Sequence, residues 1–401
     1  MKKSGSVKKK IVSKKKYPFF FILVLLGMCV GWYVEREQGG GTSDIGVYPT
    51  VYSDRHITQN AKISDPRLRS NFSSDVTKSL SNVVSSVQTN NNSKVVTDGE
   101  RGTWLWTDTL KITPEYRKLI ISEAKKNGLN SIYLSIDTYL DIYALPAGVE
   151  KDTKQKEFDA VIVDFIREAN QNGIAVDAEG GWRNWAEEGN TYKAFAVLDY
   201  VMQFNATHTE QFRGMQYDVE PYMLSDFEKN KKKILTNFLN LANAVVVKMG
   251  GNNMELSFVI PEFYDGMGDK TPQFFYGYRY NYTVDHLLRI LDKRTNSKII
   301  VMSYRNFNDG ADGAIEISKD EITRANKYNT KVIIAQELGD IEPANYTFYN
   351  TSHSYYKKNI DEIEKTFTSE KSFGGIAAHY INALMELNWG TQDSGNVIQD
   401  S

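Results

Sequence analysis

The segment GMQYDVEPY, residues 214–222, carries two carboxylates two positions apart, Asp218 and Glu220. Apolar and polar residues alternate up to Pro221, the pattern of a strand that ends there. Strand side chains alternate faces with period two, so Asp218 and Glu220 point together while Tyr217 and Val219 point the other way. Placing two acids side by side in a folded interior is costly unless the pair is used. Each raises the pKa of the other, and unequal surroundings then separate them into a proton donor and an ionised partner.

Comparable groups end other short apolar segments. TWLWTD (103–108) ends in Asp108, SIYLSID (131–137) in Asp137, and GIAVDAEGG (173–181) carries Asp177 and Glu179. MELSFVIPE (254–262) ends in Glu262, KIIVMSYR (298–305) in Tyr304 and Arg305, KVIIAQELG (331–339) carries Gln336 and Glu337, and GGIAAHY (374–380) ends in His379 and Tyr380. Together with GMQYDVE these are eight strand-like segments. Amphipathic stretches lie between them, such as EYRKLIISEAKKNGL and EFDAVIVDFIREANQNGI, the second closing on Gly173 as helices commonly close. Eight β/α units in about 290 residues fit a (β/α)8 TIM barrel, whose chemistry sits at the C-terminal ends of its strands. A doubly wound open sheet is the alternative, but it brings a Gly-rich first turn that this sequence lacks.

The remaining sequence limits the function further. A net charge of −2 gives no electrostatic reason to expect nucleic acid. The single cysteine, Cys29, falls in the N-terminal apolar run, so neither a disulfide nor thiol chemistry is expected in the folded part. The five histidines show no metal-binding spacing, and the phosphate-binding and serine-esterase motifs are missing; no metal and no cofactor is expected.

Residues 1–16 hold eight lysines and no acid, and residues 17–34 (YPFFFILVLLGMCVGWYV) follow as an apolar run of 18 residues. That length suffices for a membrane-spanning helix, and the lysines orient it with the N-terminus cytoplasmic and the rest of the chain extracellular. A cleaved signal peptide is the alternative, but VGWYVEREQ lacks the small residues of a cleavage site. Residues 35–98 are rich in Ser, Asn, Gly and Thr and read as a flexible stalk, within which VYPTVYSDRHI is a candidate short strand. The expected organisation is a basic tail at 1–16, an anchor at 17–34, a linker at 35–98, a barrel at 99–392 and a tail at 393–401.

Several of these segments resemble the chitinase-like family 18 glycoside hydrolases. GIAVDAEGGW is similar to that family's third-strand S-x-G-G-W, with Ala178 at the serine position. GMQYDVE is similar to its fourth-strand D-G-x-D-x-D-x-E, with Arg213 and Gln216 at the first two aspartates and Asp218 and Glu220 matching the final D-x-E. VMSYR resembles its sixth-strand M-x-Y-D, with Arg305 at the aspartate, and GGIAAHY its last strand, with His379 at the tryptophan. The resemblance implies Glu220 as general acid, Asp218 as the group that holds the N-acetyl nucleophile of an amino-sugar substrate, and Tyr304 as a further hydrogen-bond donor to it. Such substrate-assisted catalysis is an exception to the two-carboxylate scheme.

DVEPY and IIAQELG also resemble the fourth- and seventh-strand segments of the large clan of retaining barrel glycosidases. That resemblance implies Glu220 as acid and Glu337 as covalent nucleophile, carboxyls roughly 5–5.5 Å apart. Expected substrate-binding residues are Trp182, Trp185, Glu179, Gln216, Glu262, Tyr264, Arg305, His379 and Tyr380, since flat aromatic faces and a polar rim suit pyranose rings. FFYGYRYNY (274–282) is a candidate cleft wall or lid. The expected partners are a polysaccharide or oligosaccharide substrate and, through the N-terminal helix, a membrane. A barrel that binds glycans without cleaving them is the expectation from a different function class, because fold does not dictate activity.

Overall fold

A computed structural model of the chain describes residues 99–387. The segments expected at 1–16, 17–34 and 35–98 and the tail at 393–401 lie outside the described residues. Among the described residues no helix is long and apolar enough to cross a membrane.

Eight parallel strands close into a barrel: β1 (Glu100–Leu105), β2 (Ser131–Ser135), β3 (Ala175–Gly180), β4 (Gly214–Tyr217), β5 (Glu255–Pro261), β8 (Ser297–Met302), β9 (Lys331–Glu337) and β10 (Phe373–His379). Strand order round the barrel follows chain order, and β10 pairs with β1 to close it. These are the eight segments expected from the sequence. A two-stranded hairpin, β6 (Phe274–Tyr276) and β7 (Arg279–Asn281), is inserted after β5. Its turn residues Gly277 and Tyr278 have φ of 53° and 65°, the two left-handed positions that a tight hairpin turn demands.

Period-two alternation divides each strand. Ile132, Leu134, Val176, Ala178, Met215, Tyr217, Phe258, Ile299 and Val301 pack outward against helices in one large core. Trp104, Tyr133, Val259, Ile300, Met302, Ile333, Ala335 and Ala377 fill the barrel interior as a second core. Helices cover the outer face: α1 (Pro114–Lys126), α2 (Tyr139–Ala144), α3 (Val149–Gln171), α4 (Thr191–Thr207), α5 (Phe227–Met249), α6 (Thr283–Leu291), α7 (Ala314–Ala325), α8 (His353–Phe367) and α9 (Ile381–Glu386). α1 shows why these stretches are helical. Thr113 caps its N-terminus by accepting from Tyr116 N, Pro114 starts its first turn, Lys125 and Lys126 end it, and Tyr116, Ile120, Ile121 and Ala124 form one buried stripe. α3 begins at Val149, well before the Glu157 start that its apolar period indicates. Its first turns are polar and mostly exposed, and Glu150 and Asp152 favour the helix N-terminus there in place of a buried stripe. Gly173 follows α3 at φ 79°, the expected left-handed stop.

Candidate active site

The end of β4 positions the two carboxylates. Tyr217 and Val219 are buried outward, and the Tyr217 hydroxyl donates to Ala194 O of α4 at 2.8 Å. Gln216, Asp218 and Glu220 therefore turn toward the barrel axis. Close backbone approach holds this strand end against β3. A Cβ on Gly181 would stand 2.0 Å from Asp218 O, and one on Gly180 would stand 2.8 Å from an Asp137 carboxylate oxygen. Backbone stands in the way at Gly181, so only glycine fits there, whereas at Gly180 the Asp137 side chain would have to move.

Glu220 and Asp218 are half-buried, and both titrate high. Burial pushes the Glu220 carboxyl up, against the opposing effects of Tyr222, whose hydroxyl donates to its Oε1, and of His379. For Asp218 burial comes first, then the charges of Glu220 and Asp137, and its Oδ1 has no hydrogen-bond partner. Glu179 lies beneath them, 0% exposed, with neither oxygen hydrogen-bonded; burial, then Asp137 and Asp218, push its carboxyl well above the usual range. Four acids, Asp137, Glu179, Asp218 and Glu220, thus cluster at or just past the C-terminal ends of β2, β3 and β4. General acid catalysis at neutral pH requires a carboxyl kept protonated in this way.

Glu337, at the end of β9, is held differently. Its Oε1 accepts from Leu338 N at 2.9 Å and Gly339 N at 2.7 Å, and its Oε2 accepts from His379 Nδ1 at 2.6 Å. As donor in that bond, His379 carries a proton on Nδ1. His379 sits among aromatic rings, with centroids 4.7 Å from Trp106, 5.2 Å from Tyr304, 5.4 Å from Trp104 and 5.4 Å from Tyr380. Trp106, Tyr222, Tyr304 and Tyr380 are half-buried over the interior core, forming an aromatic border to the mouth. The Tyr304 hydroxyl stays protonated: burial first, then the charges of Glu337, Asp218, Glu220 and Glu262, push its pKa well up.

The mouth therefore gathers Glu179, Asp218, Glu220, Tyr304, Glu337, His379 and Tyr380. Other expected site residues have different surroundings. Trp185 is 1% exposed and packs in the outer core, so no face is left for a sugar. Tyr264 is fully buried, edge-on to Phe238, Phe263 and Tyr222. Gln216 is also fully buried, a layer below the mouth. Arg305 donates to Tyr304 O at 2.7 Å and Asp312 at 2.6 Å, lies over the Tyr346 ring and stands 4.0 Å from Glu262, which Lys270 approaches to 3.7 Å. That flanking ion cluster braces the loops after β5 and β8. Trp182 is half-buried, with the Arg183 guanidinium 5.1 Å from its ring centre.

Two acids expected at strand C-terminal ends do other work. Asp177 lies a full inward step below Glu179 and receives two hydrogen bonds from Arg213, at 2.8 and 2.6 Å, on the barrel floor. Asp108 caps a turn by accepting from Leu110 N at 3.0 Å and Thr138 Oγ1 at 3.0 Å. Residues the sequence reading did not assign to the site are Trp106, Tyr222 and Asp137. Trp106 had a signal, the W-x-W spacing that turns Trp104 and Trp106 to the same face of β1.

No protein-family model matches the chain, and no curated protein matches it. Solved structures with a similar fold include the endo-1,4-beta-mannanase from Rhizomucor miehei, 11% identical over 71% of this chain and 88% of that one, TM-score 0.46. A GH18 chitinase from Pseudoalteromonas aurantia is 12% identical over 72% and 97%, TM-score 0.42. The class V chitinase from Nicotiana tobaccum is 11% identical over 73% and 96%, TM-score 0.41. The likeness is one of fold, the eight-stranded parallel α/β barrel that the chain's own strand pairing establishes.

Proposed function

We propose that this barrel hydrolyses O-glycosyl bonds in glycans that contain amino sugars, with Glu220 as general acid. One observation carries the reading: the Glu220 carboxyl, raised by burial, stands with the raised carboxyls of Glu179 and Asp218 beside an aromatic border suited to a pyranose ring. Protonated Glu220 gives its proton to the glycosidic oxygen as the bond from that oxygen to the anomeric carbon breaks. The substrate's acetamido oxygen bonds to the anomeric carbon, the Asp218 carboxylate accepts from the acetamido N–H, and Tyr304 donates to the same group. Water then attacks the anomeric carbon and displaces the acetamido oxygen, restoring the N-acetyl group, while ionised Glu220 takes the water's proton.

The rival role for Glu337, covalent nucleophile, is less well supported, because both its oxygens are occupied by N–H donors. On this reading Glu337 orients His379. The apolar run at 17–34 supports a further part of the proposal, a single-span anchor that holds the barrel outside the cell near envelope or exopolysaccharide chains.

The test is release of reducing ends by the full-length protein from amino-sugar and neutral polysaccharides, beside its Glu220→Gln variant. Cleavage of an amino-sugar polymer that the variant loses is the expected result. Equal turnover by both proteins would overturn the assignment. Retention on a glycan with no cleavage would make this a binding protein.

A further inference from the structure

The hairpin inserted after β5 belongs to no barrel sheet, because β6 and β7 pair only with each other. Its outward face carries Phe275 and Tyr280, an exposed cross-strand pair with ring centroids 5.0 Å apart, and Tyr278 stands fully exposed at the turn. Its inward face carries Phe274 and Tyr276, whose rings lie 5.3 and 5.6 Å from the His286 ring of α6. Two strands of three residues each are too short to hold together unaided. The hairpin therefore depends on what fastens it to α6.

Two side chains of α6 do so. His286 is fully buried, and its Nε2 lies 3.0 Å from Phe274 O. One terminal nitrogen of Arg289 donates to Tyr276 O at 3.0 Å and reaches His286 Nδ1 at 3.3 Å. A guanidinium has no acceptor, so Nδ1 accepts there and holds no proton. A carbonyl has no donor, so the ring's proton is on Nε2, toward Phe274 O. Both fastenings thus use the uncharged ring. A second proton can enter only at Nδ1, where it meets the Arg289 guanidinium.

The charges acting on His286 come from its own helix: Arg289, and Asp285, which Arg324 of α7 holds at 2.7 Å. The hairpin's one charged residue, Arg279, is exposed and stands opposite Tyr276 in the register.

We propose that His286 is a pH-sensitive latch: uncharged, it fastens the aromatic hairpin to α6, and on gaining a second proton it repels Arg289 and releases the hairpin. The hairpin follows the loop that carries Phe263, whose ring packs on Tyr222 at the mouth at 5.3 Å, so release acts beside the candidate site. The latch does not depend on whether a glycan is cleaved. Burial, with Arg289, outweighs the backbone groups of Phe274 and Asn281 and the charge of Asp285, and holds the fastened ring below the ordinary 6.5. A released ring, open to water, binds its proton near that ordinary value. Fastening is therefore fully present above about pH 6.5 and weakens as pH falls, by up to about tenfold per pH unit, until the fastened ring itself titrates.

Hydrogen–deuterium exchange of the full-length chain, corrected for the intrinsic pH dependence of exchange, reads the latch over residues 274–282. Between pH 7 and pH 5 the wild type is expected to lose roughly 3- to 30-fold of its protection there, while β8 and β9 keep theirs. His286→Gln retains a donor and has no proton to gain, so its protection should be the same at both pH values. Arg289→Gln retains a donor for Tyr276 O and removes the repelling charge, so its loss should be smaller than the wild type's. Wild-type protection unchanged at pH 5 overturns the proposal, as does an equal loss in His286→Gln. A loss that extends to β8 and β9 overturns it too, since that is unfolding of the barrel. Should His286→Gln fail to fold, Arg289→Gln decides in its place, and a loss as large as the wild type's overturns the latch.

Discussion

Replacing Tyr222 with phenylalanine tests the proposed general acid through a neighbour that the proposed reaction does not use. The Tyr222 hydroxyl donates to Glu220 Oε1, and its ring packs edge-on against Phe263 at 5.3 Å and Tyr264 at 6.3 Å. Phenylalanine keeps those ring contacts and deletes the donor alone. A hydrogen bond to a charged group contributes about 1.5–3 kcal/mol, and the bond stabilises the ionised carboxylate more than the acid. Because Glu220 is half-buried, the lower end of that range applies; at 1.36 kcal/mol per pKa unit this is about one unit. The sign is upward: without the donor the carboxyl holds its proton to higher pH. The basic limb of the kcat/KM profile, which reports the acid of the free enzyme, should therefore move up by about one unit. Tyr222 itself is pushed well above its usual pKa, by burial and then by Glu220, so its own ionisation does not distort the profile. A basic limb that stays in place or moves down would refute Glu220 as the acid.

Four further outcomes are expected. Gly181→Ala puts a methyl 2.0 Å from Asp218 O, so it should cost about 1–3 kcal/mol in urea unfolding and also abolish turnover; full activity would show that the β3–β4 contact does not set the Asp218 position. Arg213→Met strips the cation from buried Asp177 and Glu100, and a loss of roughly 3–5 kcal/mol is expected by denaturant titration, a loss below 1 kcal/mol being the contrary result. Trp106→Ala should raise KM and leave the melting temperature nearly unchanged, whereas Trp185→Ala, in the core, should cost about 3–5 kcal/mol; the reverse pattern would exchange their roles. Asp218→Asn should raise thermal stability at neutral pH but not in mild acid. The Asp218 folded pKa lies above its unfolded value, so the folded state retains a proton that the unfolded chain releases, and stability falls as pH rises through that window. A melting temperature with the same pH dependence in variant and wild type would contradict this.

The barrel was legible because its signal is repeated: eight apolar segments, each followed by a helical stretch, leave little freedom of assignment. The same alternation that placed Asp218 and Glu220 together also put Tyr217 and Val219 on the helix side. What the sequence does not mark is depth along a strand. Asp177 and Glu179 share a face and are two residues apart, yet one pairs with Arg213 on the floor and the other lies under the mouth without a cation. Depth depends on the register between neighbouring strands, and strand spacing alone does not encode it. Aromatic residues pose a like problem. Trp182 and Trp185 occupy one loop, but only the burial of that loop against the outer core separates a half-open ring from a closed one. Trp106 directly follows β1, and its place over the interior core is set by the fold and not by composition.

The two ends of the barrel handle buried acids in opposite ways. At the floor, Glu100, Asp177 and Glu255 are met by Arg213 and Lys298, and Tyr133 adds a hydrogen bond to Glu100 at 2.7 Å. Burial alone would push Glu100 up, but the Arg213 and Lys298 charges outweigh it and hold it at about 2. This folded pKa lies below the ordinary 4.5, so the stability it provides is present above about pH 4.5 and is lost as pH falls toward about 2. At the mouth, Glu179 and Asp218 receive no cation among the described residues, and their carboxyls move up. One chain thus pairs the acids of its floor with cations and leaves Glu179 and Asp218, where the strands open, without one. Folding alone would favour the floor arrangement at both ends, since uncompensated acids lower stability at neutral pH. Their retention at the mouth, under an aromatic border and beside Glu220, is what a proton-donating site requires and a purely structural barrel does not.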